Sequence, residues 1–142
     1  MGIGAILFEN LARGALPNMA SASQHLRQAY HNESVANKLL SDNPVEFPDW
    51  AVTATFYAAL HFVNHYFMRT ASIAPGRHDI RSSYLNRDSI ARSIACEYQK
   101  LRDRCDEGRY YCSRAAPDTA RNLVNNELQT IKSRLVEGPP KT

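Results

Sequence analysis

The sequence has little of what marks several protein classes. It has only three cysteines, Cys96, Cys105 and Cys112, and their spacing fits neither a zinc motif nor a CxxC pair. No basic stretch precedes the short apolar start, and no apolar run is long enough to cross a bilayer. Glycine-rich phosphate loops and GxSxG elbows are also absent. We therefore expect a cytoplasmic protein without a signal peptide or membrane span, with Cys96 and Cys105 as buried free thiols.

The length and composition are typical of one globular domain. The chain has 142 residues, 44% of them hydrophobic, and a net charge of only +3. Arginine outnumbers lysine thirteen to four, and the segment from Arg69 to Arg114 carries an excess of four positive charges. A guanidinium matches phosphate or carboxylate groups with two hydrogen bonds. This middle segment is either a solvated face with ion pairs or a surface that faces an anion such as RNA.

Apolar residues recur at helical spacing along the whole chain, and strand-type alternation is absent. A capping box at Ser21 and Gln24 predicts the start of the first helix, and Pro48 predicts the start of the second. The pattern predicts helices over about 21–40, 48–69, 78–86, 89–106 and 117–135. Short connections favour an all-α, up-and-down antiparallel bundle of four to five helices at 19–137. Residues 1–18 are predicted to be an N-terminal arm, and 138–142 a frayed tail.

The second predicted helix carries a polar stripe on an otherwise apolar surface. Tyr57, His61 and Asn64 follow the four-then-three spacing of one helical face, and His65 lies beside them. Buried groups of this kind need hydrogen-bond partners, so the stripe is either an internal network or the wall of a cleft. His61 and His65 also form an HxxxH pair, which could share a metal ion, although a third ligand is missing.

The start of the third predicted helix offers groups suited to an anion. His78 and Arg81 share a face there, Arg77 precedes them, and the helix dipole favours negative charge at this end. If the second and third helices pair antiparallel, His65 comes close to His78 and Arg81. The alternative interpretation is a helix cap with surface charges.

The order of several short motifs resembles small bacterial and archaeal HEPN-type domains. These motifs are Asp49-Trp50-Ala51, Phe56 to His61, His78-xx-Arg81, Tyr98-xx-Leu101 and Arg109-Tyr110. The similarity extends over about residues 25–132. It implies a helical bundle, a homodimer, and a setting in toxin–antitoxin, nucleotidyltransferase-linked or defence systems. It also implies metal-independent endoribonuclease chemistry, with an Arg-x(4–6)-His motif that this chain lacks.

We therefore expect a HEPN-like module that binds a nucleic acid, a nucleotide or a protein partner such as an antitoxin, without a cofactor. Its predicted cleft residues are Tyr57, His61, Asn64, Arg77 and Arg109. One alternative is an endoribonuclease in which His78 is the acid or base and Arg81 stabilises phosphate charge. The other is a metal-binding bundle that uses His61 and His65.

Overall fold

The protein is all-helical in the computed structural model, which describes residues 19–136. The described helices, in chain order, are α1 (Ala22–Ser41), α2 (Pro48–Ala71), α3 (His78–Arg87), a 3₁₀ turn (Ala91–Ile94), α4 (Ala95–Tyr110), α5 (Pro117–Asn122), a π-helical turn (Leu123–Glu127) and α6 (Leu128–Leu135). Residues 19–136 contain no β-strand. The predicted arm at 1–18 and tail at 138–142 lie outside the described residues.

Helix α1 begins as predicted because its first backbone N–H groups find side-chain partners. The Ser21 hydroxyl accepts a hydrogen bond from the Gln24 N–H, and the Gln24 side chain accepts one from the Ser21 N–H. This reciprocal pair is the capping box read from the sequence. The helix ends at Ser41, next to Asp42, whose backbone is extended.

Helix α2 is the central element of the fold. It starts at Pro48, whose fixed φ suits a first turn, and it ends at Ala71, followed by Ser72 in the left-handed region (φ 54°). Fourteen of its 24 residues are buried, so nearly every face is covered. The helix packs against α1, α4 and α6. Its buried residues therefore form the centre of the hydrophobic core.

Asp88 shapes the connection between α3 and α4. Its carboxylate accepts hydrogen bonds from the Ile90 and Ala91 N–H groups and from the Tyr66 hydroxyl of α2. These bonds cap the chain at the predicted start of the fourth helix, but a 3₁₀ turn follows before the α-helix begins at Ala95. The predicted end of α4 near residue 106 is wrong, because the helix continues to Tyr110. Cys105 is buried as predicted, whereas Cys96 is exposed.

The last helical segment contains a π-helical turn at Leu123–Glu127, where the Leu128 N–H bonds to the Leu123 carbonyl. The Gln129 side-chain amide donates to the Val124 carbonyl, which satisfies an acceptor within the turn. Leu128 and Leu135, the first and last residues of α6, are then both buried in the core. The π-helical turn thus holds the apolar stripe of this segment on the core.

Within residues 19–136, no helix combines the length and the apolar character that a bilayer crossing needs.

Candidate functional site

Arg81 occupies an unusual position for a charged residue, because it is only 3% exposed and has no carboxylate partner among the described residues. Its Nε donates to Asn64 Oδ1 of α2 at 3.1 Å, and its Nη2 donates to the Pro75 carbonyl at 2.5 Å. Its Nη1 lies 3.3 Å from His78 Nδ1. The neutral acceptors hold the guanidinium in place but leave its charge uncompensated.

The contact with Arg81 determines which ring nitrogen of His78 carries the proton. A guanidinium only donates, so His78 Nδ1 is the acceptor, and the neutral ring carries its proton on Nε2. The ring packs against Phe56 with centroids 5.9 Å apart, while the residue as a whole is exposed. This partial burial, followed by the nearby charges of Arg81 and Arg102, lowers the pKa of His78 below 6.5. At neutral pH, His78 is therefore an uncharged hydrogen-bond donor.

Helix α4 adds two more arginines to this neighbourhood. The pKa of His78 is lowered by the charges of Arg81, Arg102 and Arg109 and raised by the carboxylate of Asp106. Asp106 lies at 3.9 Å from Arg102 in a loose i,i+4 pair. Three guanidinium groups with one carboxylate make a positive local field, which favours a negatively charged ligand.

Arg109 is the most accessible cation of this group. Its Nη1 donates to the Tyr57 hydroxyl at 2.8 Å, and its guanidinium lies 5.8 Å from the Tyr57 ring and 5.2 Å from the Tyr110 ring. Both distances fall within the range of cation–π contacts. The side chain is held by aromatic groups rather than by a carboxylate, and most of its N–H donors stay free for a ligand.

Tyr98 forms part of the floor beneath these cations. It is 1% exposed and packs against Phe56. Burial raises the pKa of this hydroxyl despite the nearby charges of Arg81 and Arg102. Tyr98 therefore stays protonated and contributes no negative charge to the site.

A second cluster lies where α1 meets α2. His25 Nδ1 and His61 Nδ1 are 3.0 Å apart, so one ring donates and the other accepts. Burial, then the mutual repulsion of the rings and the charge of Arg81, lowers the pKa of His61 to about 4. Burial likewise lowers the pKa of His25. His65 contacts the Ala22 carbonyl at 2.8 Å instead of the α3 residues.

The structure brings together some of the predicted site residues and separates others. Asn64, His78 and Arg81 form one network, and Tyr57 with Arg109 lies beside it. Arg77 is outside the network, because its exposed side chain pairs with Asp79. His61 faces α1 rather than α3. The predicted approach of His65 to His78 and Arg81 is wrong, because the His65 ring turns toward α1.

Sequence reasoning missed three residues of this region. Arg102 and Tyr98 come from α4, four residues apart on one face, and this spacing was the available signal for them. His25 lies on α1, and no local pattern connects it to His61. Their proximity depends on how the helices are rotated about their axes, which a sequence does not state.

The described residues do not supply a complete set of ligands for a metal ion. No group of three or more histidine, cysteine, aspartate or glutamate side chains within residues 19–136 is arranged to hold a metal ion. His61 and His65 also turn toward different partners, His25 and the Ala22 carbonyl. Structural and catalytic zinc sites use at least three protein ligands, which HxxxH alone does not supply here.

Comparison of the chain with protein-family models, with curated proteins and with solved structures finds no match.

Proposed function

We propose that this protein is a HEPN-like antiparallel bundle that binds the phosphate groups of single-stranded RNA or of a nucleotide between α2, α3 and α4. The observation that carries this proposal is the excess of positive charge around His78, with Arg81 buried and not neutralised by a carboxylate. A buried cation is costly without a counter-charge, and a phosphate bound beside it at His78, Arg102 and Arg109 would compensate part of its charge. The cytoplasmic location, the homodimer and the toxin–antitoxin or defence setting belong to the same proposal.

The residues have different roles in this proposal. Arg109, exposed and with free N–H groups, and Arg102 contact the phosphate directly. The Nε2–H of His78 donates a third hydrogen bond to the ligand. Arg81 is too deeply buried for direct contact, so it positions His78 and contributes charge from beneath.

The chemistry of His78 favours binding over catalysis. A general base needs an unprotonated nitrogen near the reacting hydroxyl, but Nδ1 already accepts from Arg81 and Nε2 carries the proton. An acid would need the imidazolium form, which the lowered pKa of His78 disfavours at neutral pH. Ribonuclease activity is the second candidate function, because His78 is exposed and adjacent to a guanidinium.

RNA binding is tested by fluorescence anisotropy with a labelled single strand of about ten nucleotides, a length within the range of such sites. We expect Arg109→Gln and Arg102→Gln each to weaken binding about three- to tenfold, since each removes one charged contact. Arg134→Gln, an exposed change on α6, is the matched control and should bind like the wild type. Equal affinity of all four proteins, or no binding by any of them, would contradict the proposal.

The ribonuclease alternative is tested on the same RNA in the presence of EDTA. We expect the RNA to stay intact with the wild-type protein. Cleavage by the wild type that is lost in His78→Ala, and retained in His31→Ala, would establish the enzyme instead.

A further inference from the structure

A groove lies next to the arginine side chains around His78, and phosphate binding alone gives it no role. It has a volume of about 280 Å³ and is lined by Asp49, Trp50, Thr53, Gly108, Arg109 and Tyr110. Small-molecule sites begin at about 300 Å³, so the groove suits a ligand of the size of one planar ring system. Arg109 belongs both to the groove and to the set of charges around His78, so the two features are continuous.

The walls of the groove are aromatic and open to solvent. Trp50 is 59% exposed and Tyr110 is 64% exposed, an unusual degree for two large rings that line one cavity. Unpaired bases stack on aromatic side chains and on the planes of arginine guanidinium groups. Arg109, held against the Tyr110 ring at 5.2 Å, supplies such a plane within the same groove.

Asp49 adds an acidic group to the lining of this groove. Its carboxylate forms no ion pair with any described residue, so both oxygens are available as acceptors. Guanine presents two adjacent N–H donors, N1–H and the N2 amino group, which match a carboxylate with two parallel hydrogen bonds. Cytosine and adenine place a ring acceptor beside their amino group, and uracil flanks its N3–H with carbonyl oxygens. Those edges repel one of the two carboxylate oxygens.

We infer that the groove between Trp50 and Tyr110 binds an unpaired guanine base of a single-stranded RNA, with Asp49 accepting hydrogen bonds from its Watson–Crick edge. This inference rests on the proposed function, since the adjacent phosphate lies at the Arg102–Arg109 site. The base and phosphate subsites together define a guanosine nucleotide within a single strand as the recognised unit.

The test compares two labelled oligonucleotides, an oligouridine and the same strand with one central guanosine. We expect the guanosine strand to bind about tenfold more tightly, the size expected for one good bidentate contact. Trp50 is the only tryptophan of the chain, so quenching of its fluorescence reports occupation of this groove directly. Asp49→Asn should remove the preference for guanosine, measured as the ratio of the affinities for the two strands.

Two further variants separate the groove from its surroundings. Trp50→Ala should lower the affinity for the guanosine strand, and Trp50→Phe should restore most of it because a ring that can stack is kept. Tyr111→Ala is the matched control, since Tyr111 is exposed and next in sequence to Tyr110 but does not line the groove. Circular dichroism of each variant checks that the helices are intact.

The outcomes distinguish this inference from the proposed function. Equal binding of both strands with no change in Trp50 fluorescence overturns the guanine site but keeps phosphate binding. Absence of binding to either strand overturns both. If Trp50 emission shifts with protein concentration and not with guanosine, the groove is an interface between copies of the chain, and the inference is wrong.

Discussion

Arg81 dominates the site at the scale of single residues. It keeps a full charge under the surface of a small bundle, held by an amide, a backbone carbonyl and an imidazole. Each acceptor is neutral, so the field of the guanidinium reaches the surrounding rings without cancellation. The same charge lowers the pKa values of His25, His61 and His78, although burial is the largest cause for all three.

Replacement of Arg81 tests this field. In Arg81→Met, the pKa of His61 should rise from about 4 but stay below 6.5, because burial and the neighbouring His25 still act on it. The pKa of His78 should rise as well. NMR titration of the histidine ring protons measures both values. Arg134→Met is the control, and identical titration curves in the two variants would contradict a role for the Arg81 charge.

The histidine pair also predicts a dependence of stability on pH. His61 has a folded pKa of about 4 and an unfolded pKa of 6.5, so the unfolded chain takes up a proton first as pH falls. The stability present above pH 6.5 is therefore lost between about pH 6.5 and pH 4. We expect a loss of about 1–2 kcal/mol, less than the full shift implies because solvent reaches part of the ring.

Urea unfolding at a series of pH values measures this loss. His61→Gln should flatten the profile over that window. His31→Gln, at an exposed position on α1, should leave it as in the wild type. A wild-type profile that is flat from pH 6.5 to pH 4 would show that the buried pair takes up its proton without cost.

Local spacing predicts part of the site and no more. His78 and Arg81 are one helical turn apart, and Asn64 belongs to a visible polar stripe, so these residues were found from the sequence. The pairing of His25 with His61 depends on the contact between α1 and α2. The positions of Arg102 and His65 depend on helix rotation, which hydrophobic spacing constrains only to within part of a turn.

At the scale of elements, helix starts follow local chemistry. The first two helices begin where a capping box and a proline predict, because those signals act within one turn. The irregular parts depend on distant contacts instead. The 3₁₀ turn after Asp88 is tied to Tyr66 of α2, and α4 runs past Gly108, which lies close to Asp49 of α2. These boundaries were therefore missed.

The capping box gives a prediction for α1. Ser21→Ala removes the acceptor of the Gln24 N–H and should lower the free energy of unfolding by about 1 kcal/mol. Ser23→Ala, also exposed and in the first turn, is the matched control and should change little. Chemical denaturation of both variants measures the difference. Equal stabilities would show that the start of α1 contributes nothing to the folded state.

At the scale of the whole molecule, the small net charge of +3 hides an uneven distribution. The described residues around His78 concentrate positive charge in one place. RNA binding should therefore weaken with salt in proportion to the phosphates contacted, at about 0.7 per contact for single strands. Arg102 and Arg109 are the two direct contacts. A plot of the logarithm of the association constant against the logarithm of the salt concentration should therefore have a slope of roughly −1.4.

Anisotropy titrations at several salt concentrations measure this slope. Arg109→Gln should reduce its magnitude by about 0.7, and Arg134→Gln should not change it. A slope near zero for the wild type would mean that contacts other than phosphate pairs dominate binding.

The π-helical turn at Leu123–Glu127 has a consequence for the length of the chain. The turn accommodates one residue more than a regular α-helix would have there. Each residue of a helix advances it by about 100° around its axis. Deletion of one residue in this turn would restore a regular helix but rotate α6, moving Lys132 away from its partner Glu33 on α1. Natural variants that differ in length by one residue here would therefore need a matching change at position 33 or 132.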